Sequence, residues 1–374
     1  MKLKKLEIYN NVEIINFEID IMTFLDNNIQ VDVIGFGALN LDKMYYVDDI
    51  ACKDEESYIK DFDMNPGGSA ANTIIGLSRL GVSSSIIGKV ADDEEGEILE
   101  LNLISEGVFV NNLIEAERGN SGKVIGFIDE DGERALYVDS GVNDEIKIDE
   151  ITIDNVNTAK ILHFSSFIGT ASFNTQNELL DYIPDSMILS LDPGMFYAKK
   201  GINALKKILN RTNILLINEN ELMILFKEYY SKIDGINLNN GTDGTDGTDG
   251  TDAVEVLNDT NTEELTFRDL AIHILDDGID TVVVKRGTKS VYAINNNDEE
   301  VKIPIFETDT IDTTAAGDSF NAGFLYSFLK GYSLEKSCLI GNWVASKCVE
   351  NIGTTGLPDK KQLEEFERGI DYKI

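Results

Sequence analysis

The sequence predicts an α/β protein: a mostly parallel sheet between helices in three layers, with a smaller β-sheet beside it. Aliphatic runs at 159–164, 187–191 and 214–217 alternate with helical stretches at 174–182 and 201–210, the order that builds a parallel sheet covered on both faces. Runs at 122–129 and 134–139 flank Asp129-Glu130-Asp131-Gly132, the turn chemistry of a β-hairpin. A length of 374 residues with 42% hydrophobic content allows a full core, in one large α/β domain or two.

Charge narrows the partners. Lys and Arg number 32 against 67 Asp and Glu, for a net charge of −35, which argues against nucleic acid and anionic membrane surfaces. An anionic ligand must then be held by local amides, a metal and a few placed cations. Cys52, Cys338 and Cys348 are too few and too scattered for a disulfide framework or a zinc site, and His163 and His273 read as packed or surface side chains. No window is apolar enough to span a membrane, and the Lys-containing start lacks a signal peptide's apolar core. The expected compartment is the cytoplasm.

In chain order, residues 1–30 alternate apolar and polar positions like one or two short strands, either an added edge or an extension ahead of a true start at Met22. Residues 31–37 read as a buried strand ending in Gly35-Phe36-Gly37. A dinucleotide fingerprint would need a third glycine where Asn40 stands and a helix directly after it. A strand-like stretch at 39–48 follows instead, then a polar acidic segment at 51–63. Asn65-Pro66-Gly67-Gly68-Ser69-Ala70-Ala71-Asn72-Thr73 opens a helix running to Gly81, and its tandem glycines permit unusual backbone angles and close ligand approach. Strand 82–90 and helix 93–106 come before the hairpin. Further on, Asp192-Pro193-Gly194 closes a strand where an open parallel sheet gathers ligands, and Asn218 with Glu221 is spaced as a helix cap. Gly241-Thr242-Asp243 repeats through Asp252 inside a polar stretch, 231–262, that has nothing to bury and is expected to be disordered. Helix 265–276, strand 281–285 ending in Lys285-Arg286-Gly287, and helix 337–350 follow.

The most informative string is Asp312-Thr313-Thr314-Ala315-Ala316-Gly317-Asp318. Its Ala-Ala-Gly lies just before a helix whose Phe320, Phe324, Leu325 and Phe328 share one buried face. Small residues there leave backbone N–H groups uncovered at a helix N-terminus, where the dipole favours anions. Asp318 would repel such an anion. A carboxylate beside a bound phosphate can, however, take a proton from an attacking hydroxyl.

This string resembles the D-T-x-[GA]-A-G-D signature of the ribokinase-like (PfkB) carbohydrate and nucleoside kinases. Gly67, Gly68 and Asn72 match the family's G-G-x-x-x-N, Asn218 and Glu221 its N-x-x-E, and residues 353–358 its terminal loop, all in register. Ser290 stands where the family often has glycine, which leaves that turn open. The resemblance implies a ribokinase-like α/β/α domain over residues 31–374, with a small β lid drawn from about 41–63 and 121–141. It implies a kinase that uses ATP and Mg²⁺ to phosphorylate a hydroxyl of a small sugar or nucleoside. Asp318 inherits the role of general base, and the amides of Ala315, Ala316 and Gly317 the anion hole. Asn40, Asp42, Gly67, Gly68, Asn72 and Asn143 fall to the acceptor. Asn218, Glu221, Lys285, Gly287, Gly317 and Asn342 fall to the nucleotide, with Glu221 reaching Mg²⁺ through water and Asp312 and the Thr314 carbonyl placed for K⁺. A homodimer through the lid belongs to the same expectation.

Ribose is the first expected acceptor and a ribonucleoside the second. The residues assigned to the acceptor suit a neutral polyhydroxyl ring, while Met44, Tyr45 and Tyr46 offer apolar surface for a base. Two alternatives stand beside this: a kinase of fructose-phosphate type, and a regulator that kept the fold and lost the chemistry. The second alternative predicts damage in the signatures, and they are intact.

Overall fold

Aliphatic side chains alternate along the central strands, and that alternation gives the sheet two buried faces. In the computed structural model, which describes residues 29–226 and 266–371, Val33 and Ile161 enter one core while Ile34, Phe36, Leu162 and Phe164 enter the other. The expectations for residues 1–28 and for the Gly-Thr-Asp repeat lie outside the described residues.

The strands are β1 (Val33–Phe36), β2 (Asn40–Val47), β3 (Ile59–Gly67), β4 (Ser84–Ala91), β5 (Leu113–Ala116), β6 (Gly122–Ile128), β7 (Arg134–Asp139), β8 (Ile161–Phe164), β9 (Ile188–Leu191), β10 (Ile214–Asn218), β11 (Thr281–Lys285), β12 (Val291–Asn295) and β13 (Glu300–Ile303). Nine of them form one sheet in the order β13-β12-β11-β10-β9-β8-β1-β4-β5. Pairing is parallel from β5 through to β11. β12 and β13 add an antiparallel edge that the sequence reading did not foresee. From β1 the chain builds outward to β4 and β5, and later returns to the other side of β1 to build β8 through β11. Such a reversal opens a crevice at the carboxyl ends of the strands.

The helices are α1 (Ser69–Arg79), α2 (Glu94–Ser105), α3 (Ile153–Val156), α4 (Ala171–Leu179), α5 (Gly194–Arg211), α6 (Glu219–Leu225), α7 (Phe267–Asp276), α8 (Ala316–Leu329), α9 (Leu334–Val349) and α10 (Lys360–Asp371). α1, α2 and α8–α10 share a core with one face of the sheet, and α3–α7 share a core with the other. No helix among the described residues is long and apolar enough to cross a membrane.

α8 departs from the expected one-sided helix. It is buried all round from Ser319 to Ser327, and Phe328, expected inward, is 36% exposed. Small residues let its neighbours come this close. A Cβ on Gly76 of α1 would lie 2.6 Å from that of Ala322, and one on Gly341 of α9 would lie 2.8 Å from the Phe320 ring.

β2, β3, β6 and β7 form a separate sheet in the order β3-β2-β6-β7. Alternation along β2 puts Asp42, Met44 and Tyr46 on one face and Lys43 and Tyr45 on the other. Tyr45 stacks against Phe62 at 4.7 Å and Phe127 at 5.6 Å between ring centroids. It therefore turns away from Asp42, contrary to the reading that grouped it with Met44 and Tyr46. Lys43 ties this outer face to α2 through Glu95, at 2.7 Å.

Candidate active site

The carboxyl ends of the parallel strands and the N-termini of α1, α6 and α8 converge at one crevice. α8 begins at Ala316, so Ala316 and Gly317 belong to its first turn rather than to the loop before it. Its cap, Ala315, has φ 60° and ψ 7°, a left-handed conformation in which a Cβ crowds the backbone. The Ala316 N–H is turned back to the Thr313 carbonyl at 3.2 Å, while Ser319 makes the first full-turn bond, to Ala315 at 2.8 Å. The N–H groups of Gly317 and Asp318 precede that bond and have no helical carbonyl of their own. Asp312 secures the approach: its two oxygens accept from the N–H groups of Thr314 and Gly353, each at 2.9 Å. Burial works against the Asp312 charge, but those amides prevail and hold its carboxyl below the usual range.

Asp318 faces α1. It accepts from Ser69 Oγ at 2.6 Å and from Asn72 Nδ2 at 2.8 Å. An ionised carboxylate only accepts, so Asn72 must present its NH₂ to Asp318 and its carbonyl oxygen elsewhere. That oxygen, Oδ1, is buried without a hydrogen-bond partner. Burial and the nearby Asp192 carboxylate push Asp318 above the ordinary aspartate range, against the hydrogen bonds from Ser69 and Asn72 and the charge of Lys285.

Lys285 arrives from the end of β11. Its Nζ bonds to Asp192 Oδ2 at 2.7 Å and Asn321 Oδ1 at 3.1 Å, and it lies 3.4 Å from where a Cβ on Gly317 would stand. Asn218 and Glu221 form a reciprocal cap on α6: Asn218 Oδ1 accepts from the Glu221 N–H at 2.8 Å, and Glu221 Oε2 from the Asn218 N–H at 3.1 Å. Burial and the Asp192 carboxylate push Glu221 up to about 7. Gly287 lies exposed just beyond Lys285. Asn342 is buried on α9, where its Nδ2 donates to the Pro304 carbonyl at 3.0 Å and holds that helix against the end of β13.

At the start of α1, Gly68 caps the helix with φ 116°, and a Cβ there would lie 2.2 Å from the Ala38 carbonyl oxygen. Glycine is required by both constraints. A Cβ on Gly67 would lie 2.9 Å from Asp42 Oδ2, and burial pushes Asp42 up to about 6. Asn143 is fully buried and spends its side chain on Leu39 and Asn40: Oδ1 accepts from the Leu39 N–H at 2.9 Å, and Nδ2 donates to Asn40 Oδ1 at 3.0 Å. It orients Asn40.

Thus the structure brings Asn72, Gly317, Asp318 and Lys285 together, while Asn342 and Asn143 bind their own chain. The sequence gives Asp192 only a place at a ligand-gathering strand end, and Ser69 and Asn321 no role at all. Asn321 stands one helical turn beyond Gly317, so spacing alone held a signal for it.

Comparison with known proteins agrees with this architecture. The pattern of the pfkB family carbohydrate kinases matches residues 31–238 and 248–361. An uncharacterized sugar kinase of Archaeoglobus fulgidus is 39% identical over 288 residues, spanning 76% of this chain and 98% of that protein. A nucleoside kinase of Methanocaldococcus jannaschii is 28% identical over 305 residues, spanning 81% and 85%. The crystal structure of a ribokinase from Thermotoga maritima superposes with a TM-score of 0.73 at 23% identity, covering 90% of this chain and 99% of its own. These likenesses define a phosphotransferase with an alcohol group as acceptor, a sugar or nucleoside kinase with the ribokinase-like fold. The chain belongs to the pfkB family of carbohydrate kinases.

The left-handed Ala315 sets up a direct test. An L-residue there costs about 1–2 kcal/mol, and glycine returns about 0.5–1 kcal/mol of that in backbone entropy. Ala315→Gly is therefore expected to raise the melting temperature slightly, by up to about 2 °C in a chain of this size. Calorimetry showing a clear drop would contradict the strained cap.

Proposed function

We propose that this protein transfers the γ-phosphoryl group of Mg²⁺·ATP to the primary hydroxyl of ribose or a ribonucleoside, with Asp318 as general base. The observation that carries the reading is the Asp318 carboxylate, fixed by Ser69 and Asn72 in the first turn of α8, with a buried acceptor atom of Asn72 left over. An acceptor rich in hydroxyls brings donors for both groups. Its attacking hydroxyl gives its proton to Asp318, which burial and Asp192 have made a stronger base than a surface aspartate.

Mg²⁺·ATP supplies the phosphoryl group and the divalent charge. The residues fit it. Burial and Asp192 push both Glu221 and Asp318 up, and the two share the Lys285 charge with Asp192, so a divalent cation entering the crevice would favour their ionised forms. No cluster of three or more metal-binding side chains occurs among the described residues. Asn218 and Glu221 would accordingly hold Mg²⁺ through water, its remaining ligands being phosphate oxygens, a usual arrangement for this ion. Lys285 and the N–H groups of Gly317 and Asp318 hold the charge that develops on the transferred group. The small sheet acts as a lid, and its closure keeps water from competing as acceptor.

Asp42 and Asn40 meet the ring hydroxyls. Met44 and Tyr46 share the Asp42 face and offer surface for a base, while Tyr45 stacks on the other face; the loss of one of the three expected side chains favours ribose over a ribonucleoside. The test is an ADP-release screen over ribose, ribonucleosides, fructose and sugar phosphates. Turnover with fructose phosphates alone would sink the acceptor assignment. In the same assay Asp318→Asn is expected to lower kcat by at least about 10²-fold with ATP binding retained, and near-normal turnover would remove Asp318 from the role of base.

Asp42 adds a pH signature. As a hydrogen-bond acceptor for the ring it must be ionised, and burial has pushed it up to about 6. The KM for the acceptor should therefore rise as pH falls through about 6, approaching tenfold per unit, and be flat above 7. Asp42→Asn should flatten the profile; an unchanged slope in that variant would show that another group titrates.

A further inference from the structure

We infer that Asp192 and Asn321 form a positioning pair that aims the Lys285 ammonium at the first turn of α8 and keeps it off Asp318. The inference rests on the kinase reading above and assigns roles to two residues that the family signatures leave unassigned.

The three side chains close a triangle. Lys285 Nζ donates to Asp192 Oδ2 at 2.7 Å and to Asn321 Oδ1 at 3.1 Å, and Asn321 Nδ2 donates to the same Asp192 oxygen at 2.6 Å. Each corner comes from a different place: the residue after β9, the end of β11, and the second turn of α8. The Asp192 and Lys285 side chains are 8% and 13% exposed, and Asn321 is fully buried. Burial opposes both charges, yet their attraction prevails, holding Lys285 above and Asp192 below the ordinary values. His163, packed behind Asp192, bonds to Ser190 Oγ at 3.1 Å and is held neutral by burial, its pKa lowered to about 4. It leaves Asp192 to Lys285.

A lysine head on four rotatable bonds has a choice of carboxylates here. Its charge already reaches Glu221 and Asp318. If it moved onto Asp318 it would neutralise the base and vacate the turn beside Gly317. Asp192 and Asn321 prevent this by occupying two of its three N–H bonds in a fixed direction. The pair spends its hydrogen bonds on Lys285 and on each other, so its effect should appear in turnover rather than in acceptor affinity.

The test is a double-mutant cycle with steady-state kinetics and calorimetric Mg²⁺·ATP binding. Asp192→Asn and Lys285→Gln are made singly and together. Asn321→Ala, alone and with Lys285→Gln, serves where Asp192→Asn does not fold, since it leaves the ion pair intact. The expected result is a loss in kcat of about tenfold or more from the Asp192 or Asn321 change, with acceptor KM within about twofold. In the Lys285→Gln background the same change should alter kcat by less than about twofold, because the two act through one group. Additive losses in both backgrounds, or a loss confined to acceptor KM, overturn the inference. Absence of any ATP-dependent phosphorylation by the wild-type protein overturns the kinase reading itself, a result distinct from additivity.

Discussion

One ammonium set among three carboxylates governs this crevice. Lys285 bonds Asp192 directly, and its charge reaches Glu221 and Asp318. Burial raises the cost of every charge that lacks a partner, and both Glu221 and Asp318 are pushed above their usual ranges. A phosphate group entering alone would meet net repulsion. A site so composed makes chemical sense when positive charge enters with the ligand, and when the helix dipole and a few amides at α8 supply the rest.

The fold brings those charges together. Asp192 directly follows β9, Asn218 ends β10 and Lys285 ends β11, three adjacent parallel strands whose carboxyl ends point the same way. Asp318 and Asn321 come from α8, which is wedged between α1 and α9. The wedge depends on small residues: Gly76 against Ala322 on one side, and Gly323 against Gly341 and Val344 on the other. The same economy of size continues into Ala315 and Gly317, where side chains would cover the amides. Packing of the helix and exposure of its N-terminus thus place one demand on the sequence.

Much of this was legible in the sequence because it is local. The strand and helix alternation and the hairpin at 129–132 lie within short windows and stand where expected, and the Asp312–Asp318 string opens α8 at Ala316, within the small residues expected to precede the helix. Two kinds of error arose. The α8 pattern was read as one-sided because Phe320, Phe324 and Leu325 dominate it, whereas Ala322, Gly323 and Ser327 are buried through close helix contact that no hydropathy pattern reports. Edge strands β12 and β13 were missed because a short antiparallel edge has little periodicity of its own. Long-range partnerships were also illegible: Ser69 to Asp318 spans 249 positions and Lys285 to Asp192 spans 93. Spacing could place Asn218 and Glu221 together, but it could not distinguish a helix cap from a metal site. The structure shows the cap, which leaves Glu221 Oε1 outside it.

Asp318 has one task in this mechanism, to meet the attacking hydroxyl at the start of α8. A crystal structure of the protein with Mg²⁺, a non-hydrolysable ATP analogue and its acceptor tests this directly. The acceptor's primary hydroxyl is expected within about 2.6–3.2 Å of an Asp318 carboxylate oxygen, with the γ-phosphoryl group against the N–H groups of Gly317 and Asp318. A hydroxyl seated beyond reach of Asp318, or a terminal phosphate bound away from the α8 N-terminus, would contradict it.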